Sequence, residues 1–158
     1  MGSTIAPPDL RRLSPEHIAA CARILEELPD WFGIETARRR YIEELPACEA
    51  YVATAGNEVR GFIAVRQHSP FSAEVHVMAV ERAAQRRGLG RALVEHVEGK
   101  LRSRGVEYLS VKTLGPSRPD RGYAATRAFY EALGFRPLEE TTAFWGEENP
   151  CLLMVKRL

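Results

Sequence analysis

Between Ala73 and Leu114 the hydrophobic period changes twice, and this limits the chain to few architectures. In "AEVHVMAV" the residues Glu74, His76, Met78 and Val80 fall on one face of a strand of period two. From Gly88 the apolar residues Leu89, Ala92, Leu93, Val97 and Leu101 recur at helical spacing. Gly105 then stops the helix, and "VEYLSVKTL" returns to strand composition. Strand, turn, helix and strand in this order predict a β-α-β unit, and therefore a mixed α/β domain.

The flanking sequence fits around that unit. "DLRRL" reads as a short strand, and Ser14-Pro15-Glu16 opens a helix with a cap and a proline at its first position. The helix ends near "LPDWFG", and a second amphipathic segment covers about Ile34 to Leu45. "EAYVATAGNEVRGFIAVRQHS" predicts two strands joined at Gly56-Asn57, with a third antiparallel strand after Pro70. Beyond the β-α-β unit, "GPSRPDRGY" reads as a loop and "AATRAFYEAL" as a helix stopped by Gly134. "FRPLEE" and "NPCLLMVKRL" supply the last two strands. Along the last helix Ala128, Phe129, Ala132 and Leu133 form the expected core stripe, with Tyr130 about 100° away from it.

The turn before the central helix, "QRRGLGR", concentrates positive charge where the helix dipole disfavours it. A cation in a first helical turn costs roughly 0.3 to 1 kcal/mol, and no Ser, Thr, Asp or Asn stands at residues 85–88 to cap the exposed N–H groups. An external anion relieves both problems. Gly88 and Gly90 allow close backbone approach, helix-start N–H groups converge, and guanidinium groups add forked donors, so phosphate is the expected occupant. A dinucleotide fingerprint needs a third glycine near Leu93, and a P-loop needs Lys-Ser or Lys-Thr after its last glycine; neither is present. The competing reading is a solvated Arg-rich turn with a helix behind it.

Composition narrows the partners. With 158 residues and a net charge of +1, the chain suits one globular domain without the global field that would hold nucleic acid or an anionic membrane. The three cysteines, Cys21, Cys48 and Cys151, fit no metal-ligand spacing and cannot all pair within the chain. No metal is expected, and a reducing, cytoplasmic setting is. No apolar run approaches the ~18 residues of a membrane span, and the N-terminal residues lack a signal-peptide core.

A strand followed by "QRRGLG" and a helix resembles the acetyl-CoA signature Q/R-x-x-G-x-G/A of the GNAT superfamily of N-acetyltransferases. "AFYEALGF", Ala128 to Phe135, is similar to a second family element, the helix ending Y-x-x-x-G-F before a strand. The two elements stand in family order, and the similarity extends over the whole chain. The resemblance implies a central mixed, mostly antiparallel sheet, splayed in the middle and flanked by about four helices, with acetyl-CoA in the gap. Backbone amides of Arg86, Arg87, Gly88, Leu89, Gly90 and Arg91 would face its pyrophosphate. Main-chain groups of Met78, Ala79 and Val80 would pair with its pantetheine arm like an added strand. One position departs from the pattern: many members carry Asn seven residues before the tyrosine, where this chain has Tyr123.

Forming an amide from a thioester needs a neutral amine, a stabilised oxyanion and a proton for the departing thiolate. Glu74 stands where the histone-acetylating branch places its base, six residues before Val80. His76, four before it, is the alternative base, acting directly or through water. Tyr130 is the corresponding acid. The expected activity is direct transfer of acetyl from acetyl-CoA to a primary amine in a ternary complex, by a monomer or homodimer. The acceptor side of this fold falls on "PDWFGIE" and "TTAFWGEENP", where Trp31, Phe32, Phe144 and Trp145 offer an aromatic wall and Glu35, Glu147 or Glu148 attract a cation. Small-molecule, peptide and protein amines all remain open. A non-catalytic acyl-CoA-binding sensor would share the cofactor residues and lack the acid and base. A nucleic-acid module using "RRGLGR" and "RSR" is disfavoured by the near-zero net charge.

Overall fold

The computed structural model describes residues 7–158; the N-terminal segment read for a signal peptide lies mostly outside them. Seven strands form a sheet in the order β1-β2-β3-β4-β5-β7-β6. They are β1 Asp9–Arg12, β2 Glu49–Ala55, β3 Glu58–Gln67, β4 Ser72–Val80, β5 Tyr108–Leu114, β6 Arg136–Thr141 and β7 Cys151–Arg157. Four α-helices accompany them: α1 Ile18–Glu26, α2 Glu35–Glu44, α3 Leu89–Ser103 and α4 Arg121–Ala132. The mixed α/β architecture follows the pattern expected from the sequence. None of these helices is long and apolar enough to cross a membrane.

Two compact units share the chain. One holds the described residues up to Ala64 together with Met78–His96; the other holds Val65–Val77 and Val97–Leu158. In the first, β1 pairs antiparallel with β2, Leu10 opposite Ala53, and β2 turns into β3 at Gly56, whose φ of 63° suits a tight hairpin. Its core contains Ile24, Leu25, Val52, Phe62, Ile63 and Leu93, all fully buried. Burying a side chain of this size stabilises by about 1.5 to 3 kcal/mol, before the entropy of ordering it is subtracted. Ser14 precedes a 3-10 turn, Pro15–His17, and its N–H donates to His17 Nδ1 at 3.1 Å before α1 begins. Helix α2 itself has no buried residue, and the amphipathic segment contributes Leu45, just past the helix end, to the core.

In the second unit β5 pairs antiparallel with β7, and β7 with β6. The parallel ladder expected of the β-α-β unit joins Ser72–Val75 of β4 to Tyr108–Val111 of β5. That register ends at Val75, although β4 runs on to Val80 and β5 to Leu114. Leu101, Leu109, Phe135 and Met154 are fully buried here. Buried among them is Glu98, whose carboxylate receives Lys156 Nζ at 2.8 and 3.0 Å and Arg102 Nη2 at 3.0 Å. Helix α4 starts at Arg121, three residues earlier than the sequence pattern places it. The Asp120 side chain accepts the Tyr123 N–H at 3.0 Å and so caps residues that otherwise read as loop.

Candidate functional site

The turn between β4 and α3 is anchored at both ends. Glu81, almost buried, takes Arg60 Nη1 at 2.6 Å and donates its own N–H to the Arg60 carbonyl at 2.9 Å. A 3-10 turn follows over Arg82–Ala84, and the Gln85 side-chain amide reaches back to the Val80 carbonyl at 3.0 Å. Between these anchors the backbone takes two left-handed steps, Arg86 at φ 63° and Gly88 at φ 83°. Glycine adopts this conformation freely; arginine does not, and a non-glycine residue here marks strain held by its surroundings. The Gly88 carbonyl accepts the first helical bond, from the Ala92 N–H at 3.0 Å. The N–H groups of Leu89, Gly90 and Arg91 therefore emerge from the helix start with no acceptor among the described residues.

The positive charge sits slightly differently from the expectation. Arg86 and Arg87 lie before the helix, exposed and without an ion-pair partner among the described residues. Of the three arginines only Arg91 occupies the first turn, and it is paired with Glu95 one turn on at 3.4 Å. No acidic residue stands in that turn. Two guanidinium groups without an ion-pair partner among the described residues, the helix-start N–H groups and the dipole of a 15-residue helix make a seat suited to a multiply charged anion.

Along β4 the alternation is strict. Ala73, Val75, Val77 and Ala79 are buried, while Glu74, His76, Met78 and Val80 are half-buried on the opposite face. Glu74 has company that the sequence did not reveal. Lys112 Nζ of β5 lies 3.0 Å from Glu74 Oε2, and His68 Nε2 lies 3.8 Å from Oε1. The same Lys112 ammonium sits 4.4 Å above the ring of Phe144. Parallel register explains the meeting: Ser110 lies opposite Glu74, so Lys112 projects on the same face two residues further along.

Tyr130 is the most buried side chain of α4. It packs edge-on against Phe129 and Phe135, with centroids 5.1 and 5.3 Å away, and burial pushes its phenol well above the usual tyrosine range. Of the expected stripe only Leu133 is buried, since Ala128 and Ala132 are exposed and Phe129 is half-buried. The cause is the helix end. Past Gly134, at φ 99°, the Phe135 N–H bonds back to the Tyr130 carbonyl at 3.0 Å and brings its ring over the tyrosine.

The suggested acceptor residues divide. Phe32 packs edge-on against Tyr41, and Glu35 pairs with Arg39 at 3.0 Å. Phe144 and Trp145 are exposed on the loop between β6 and β7, as are Glu147 and Glu148. Arg118 fastens that loop by bonds to the Glu148 carbonyl and the Asn149 side chain. Trp31 is half-buried beside Phe32.

A model of the GNAT acetyltransferase domain matches residues 46–137, more than half of the chain. This chain belongs to the GNAT acetyltransferase family. A curated relative, the mycothiol acetyltransferase of Beutenbergia cavernae, is 40% identical over 65 residues. That match covers 41% of this chain and only 20% of the relative's length. Among solved structures, a GNAT-family protein from Desulfovibrio desulfuricans superposes with a TM-score of 0.82 at 23% identity, covering 96% of this chain and 99% of the other. An aminoglycoside 6'-N-acetyltransferase solved with coenzyme A gives 0.75 at 20% identity, covering 94% and 96%. These two likenesses establish a shared GNAT fold. The family match spans β2 through α4 and so includes both the anchored turn and Tyr130.

Proposed function

We propose that the protein is an acetyl-CoA-dependent N-acetyltransferase that acts on a primary amine by direct attack in a ternary complex. The observation that carries this reading is the turn 85–91: two left-handed residues and, among the described residues, two arginines without an ion-pair partner and a helix start with free N–H groups and no acid. When bound, acetyl-CoA supplies an activated acyl carbon and a thiolate leaving group. The N–H groups of Arg86 through Arg91 hold the pyrophosphate, and the main chain of Met78, Ala79 and Val80 orients the pantetheine arm.

Glu74, or His76 on the same face, takes the proton that an incoming ammonium must lose. Tyr130 holds its hydroxyl proton for the departing sulfur. Its elevated pKa suits donation of a hydrogen bond better than full proton release. The non-catalytic sensor reading draws its support from the same residue and from the ion pair that occupies Glu74. The exposed Phe144 and Trp145 support an acceptor with apolar surface and a cation. All three cysteines are free and buried, which supports a reducing, cytoplasmic setting.

The test is thermal melting with acetyl-CoA, followed by thiol release against a broad amine panel. Acetyl-CoA raises Tm in the wild type. Gly90→Asp, which sets a carboxylate against the pyrophosphate, abolishes the rise. An unchanged rise in that variant removes the turn from the site, and binding without thiol release on any amine selects the sensor reading.

A further inference from the structure

We propose that Lys112 is itself an acetyl acceptor, so that the protein acetylates its own β5 strand beside Glu74. The inference rests on the acetyl-transfer reading above. Among the 158 residues there are three lysines, Lys100, Lys112 and Lys156. Lys156 is clasped by Glu98, and Lys100 is exposed on α3. Lys112 differs from both: its side chain is 29% exposed, enough to be reached, and its ammonium lies 3.0 Å from the carboxylate assigned as base. It also follows Val111, the last β5 residue in register with β4, just as His76 follows Val75 on the partner strand. The Glu74–Ser110 register thus sets an internal primary amine on the same sheet face as both base candidates and in contact with one of them, on the face where the reading puts the chemistry. The Phe144 ring, 4.4 Å from Nζ, holds the amine there.

The step balances without a further reagent. Glu74 accepts one proton from the Lys112 ammonium, and the freed lone pair forms an N–C bond to the acetyl carbon of the CoA thioester. The C–S bond breaks, the sulfur keeps its electron pair, and the second nitrogen proton passes to that thiolate. The products are an uncharged acetyl-lysine and free thiol, with the Glu74 proton returned to water. Glu74 then has lost its ammonium partner and keeps only the more distant His68.

The full chain is incubated with acetyl-CoA and no added amine, and acetyl occupancy at the three lysines is followed by peptide mass. Lys112 is expected to outpace the exposed Lys100 at least tenfold, reversing the order of solvent access. Glu74→Gln and Gly90→Asp should each lower Lys112 to the Lys100 rate, and Lys112→Arg, which keeps a cation for Glu74, should take up no acetyl there. After removal of the coenzyme, the acetylated protein should melt below the untreated one, and Lys112→Gln should reproduce the decrease. Lys100 equal to or ahead of Lys112, or an undiminished Lys112 rate in Gly90→Asp, overturns the proposal. An acetyl-CoA-induced rise in Tm with thiol release on added amines, but an unmodified Lys112, overturns self-transfer alone and leaves the proposed function standing. No rise and no release means that the function reading has failed and takes this inference with it.

Discussion

Arg86 holds a left-handed φ of 63° in the middle of the candidate anion seat. That conformation costs an L-residue roughly 1 to 2 kcal/mol, and glycine avoids the clash at an entropic cost of about 0.5 to 1 kcal/mol. Arg86→Gly is therefore expected to raise stability to urea by up to about 1 kcal/mol, whereas Arg86→Ala, which keeps the strain, leaves it unchanged. At Gly88 a Cβ would meet nothing within 4 Å, yet φ is 83°. Gly88→Ala should accordingly lose about 1 kcal/mol through backbone strain alone. For Tyr130→Phe, which deletes only a hydroxyl, kcat is expected to fall roughly 10² to 10⁴-fold with acetyl-CoA affinity retained. Because burial keeps the phenol protonated, the alkaline limb of kcat/KM should have the same midpoint in wild type and variant. A wild-type kcat in the variant assigns Tyr130 to packing. At this scale the sequence shows which face Glu74, His76, Met78 and Val80 occupy, since period two is local. It does not show Lys112 beside Glu74 or Phe135 over Tyr130, because each depends on where the chain returns.

Helix α3 carries the seat at one end and the Glu98 clasp further along. A carboxylate 2% exposed is tolerable there only because Lys156 and Arg102 both reach it. Lys156→Met removes the closer cation and should cost about 3 kcal/mol, the scale of a buried charge left without its partner. Adding Glu98→Met to that variant should recover most of the loss in a denaturant titration. A double variant no more stable than the single one would mean that the pair contributes more than charge compensation. These element boundaries are legible because a breaker marks them: Gly56 takes positive φ where a hairpin turn is expected, and Gly105 and Gly134 where a helix stop is. The start of α4 is not legible, since Asp120 acts as a cap only when the Tyr123 N–H turns toward it.

For the whole molecule, alkaline pH is the sensitive direction. Burial raises the Cys21 thiol from 9.0 to about 12, and Cys151 from 9.0 to about 11 despite the nearby Lys112 ammonium. The folded chain thus binds these protons more tightly than the unfolded one. Their contribution is complete below pH 9 and declines as pH rises toward the folded values. The denaturation midpoint should fall between pH 8.5 and about 10.5. Cys151→Ala, though less stable from lost packing, should give a flatter decline. A slope that matches wild type would place the sensitive groups elsewhere.

The arginines of the turn have a chemical consequence apart from charge. The guanidinium groups of Arg86, Arg87 and Arg91 keep their nitrogen lone pairs within a delocalised cation, so none is free to attack an acyl carbon. A cradle of lysines would offer the same attraction but would titrate and capture acyl groups until its charge was gone. As the proposed seat for an activated ester, such a rim would be inert toward that ester and would keep its charge through repeated turnovers.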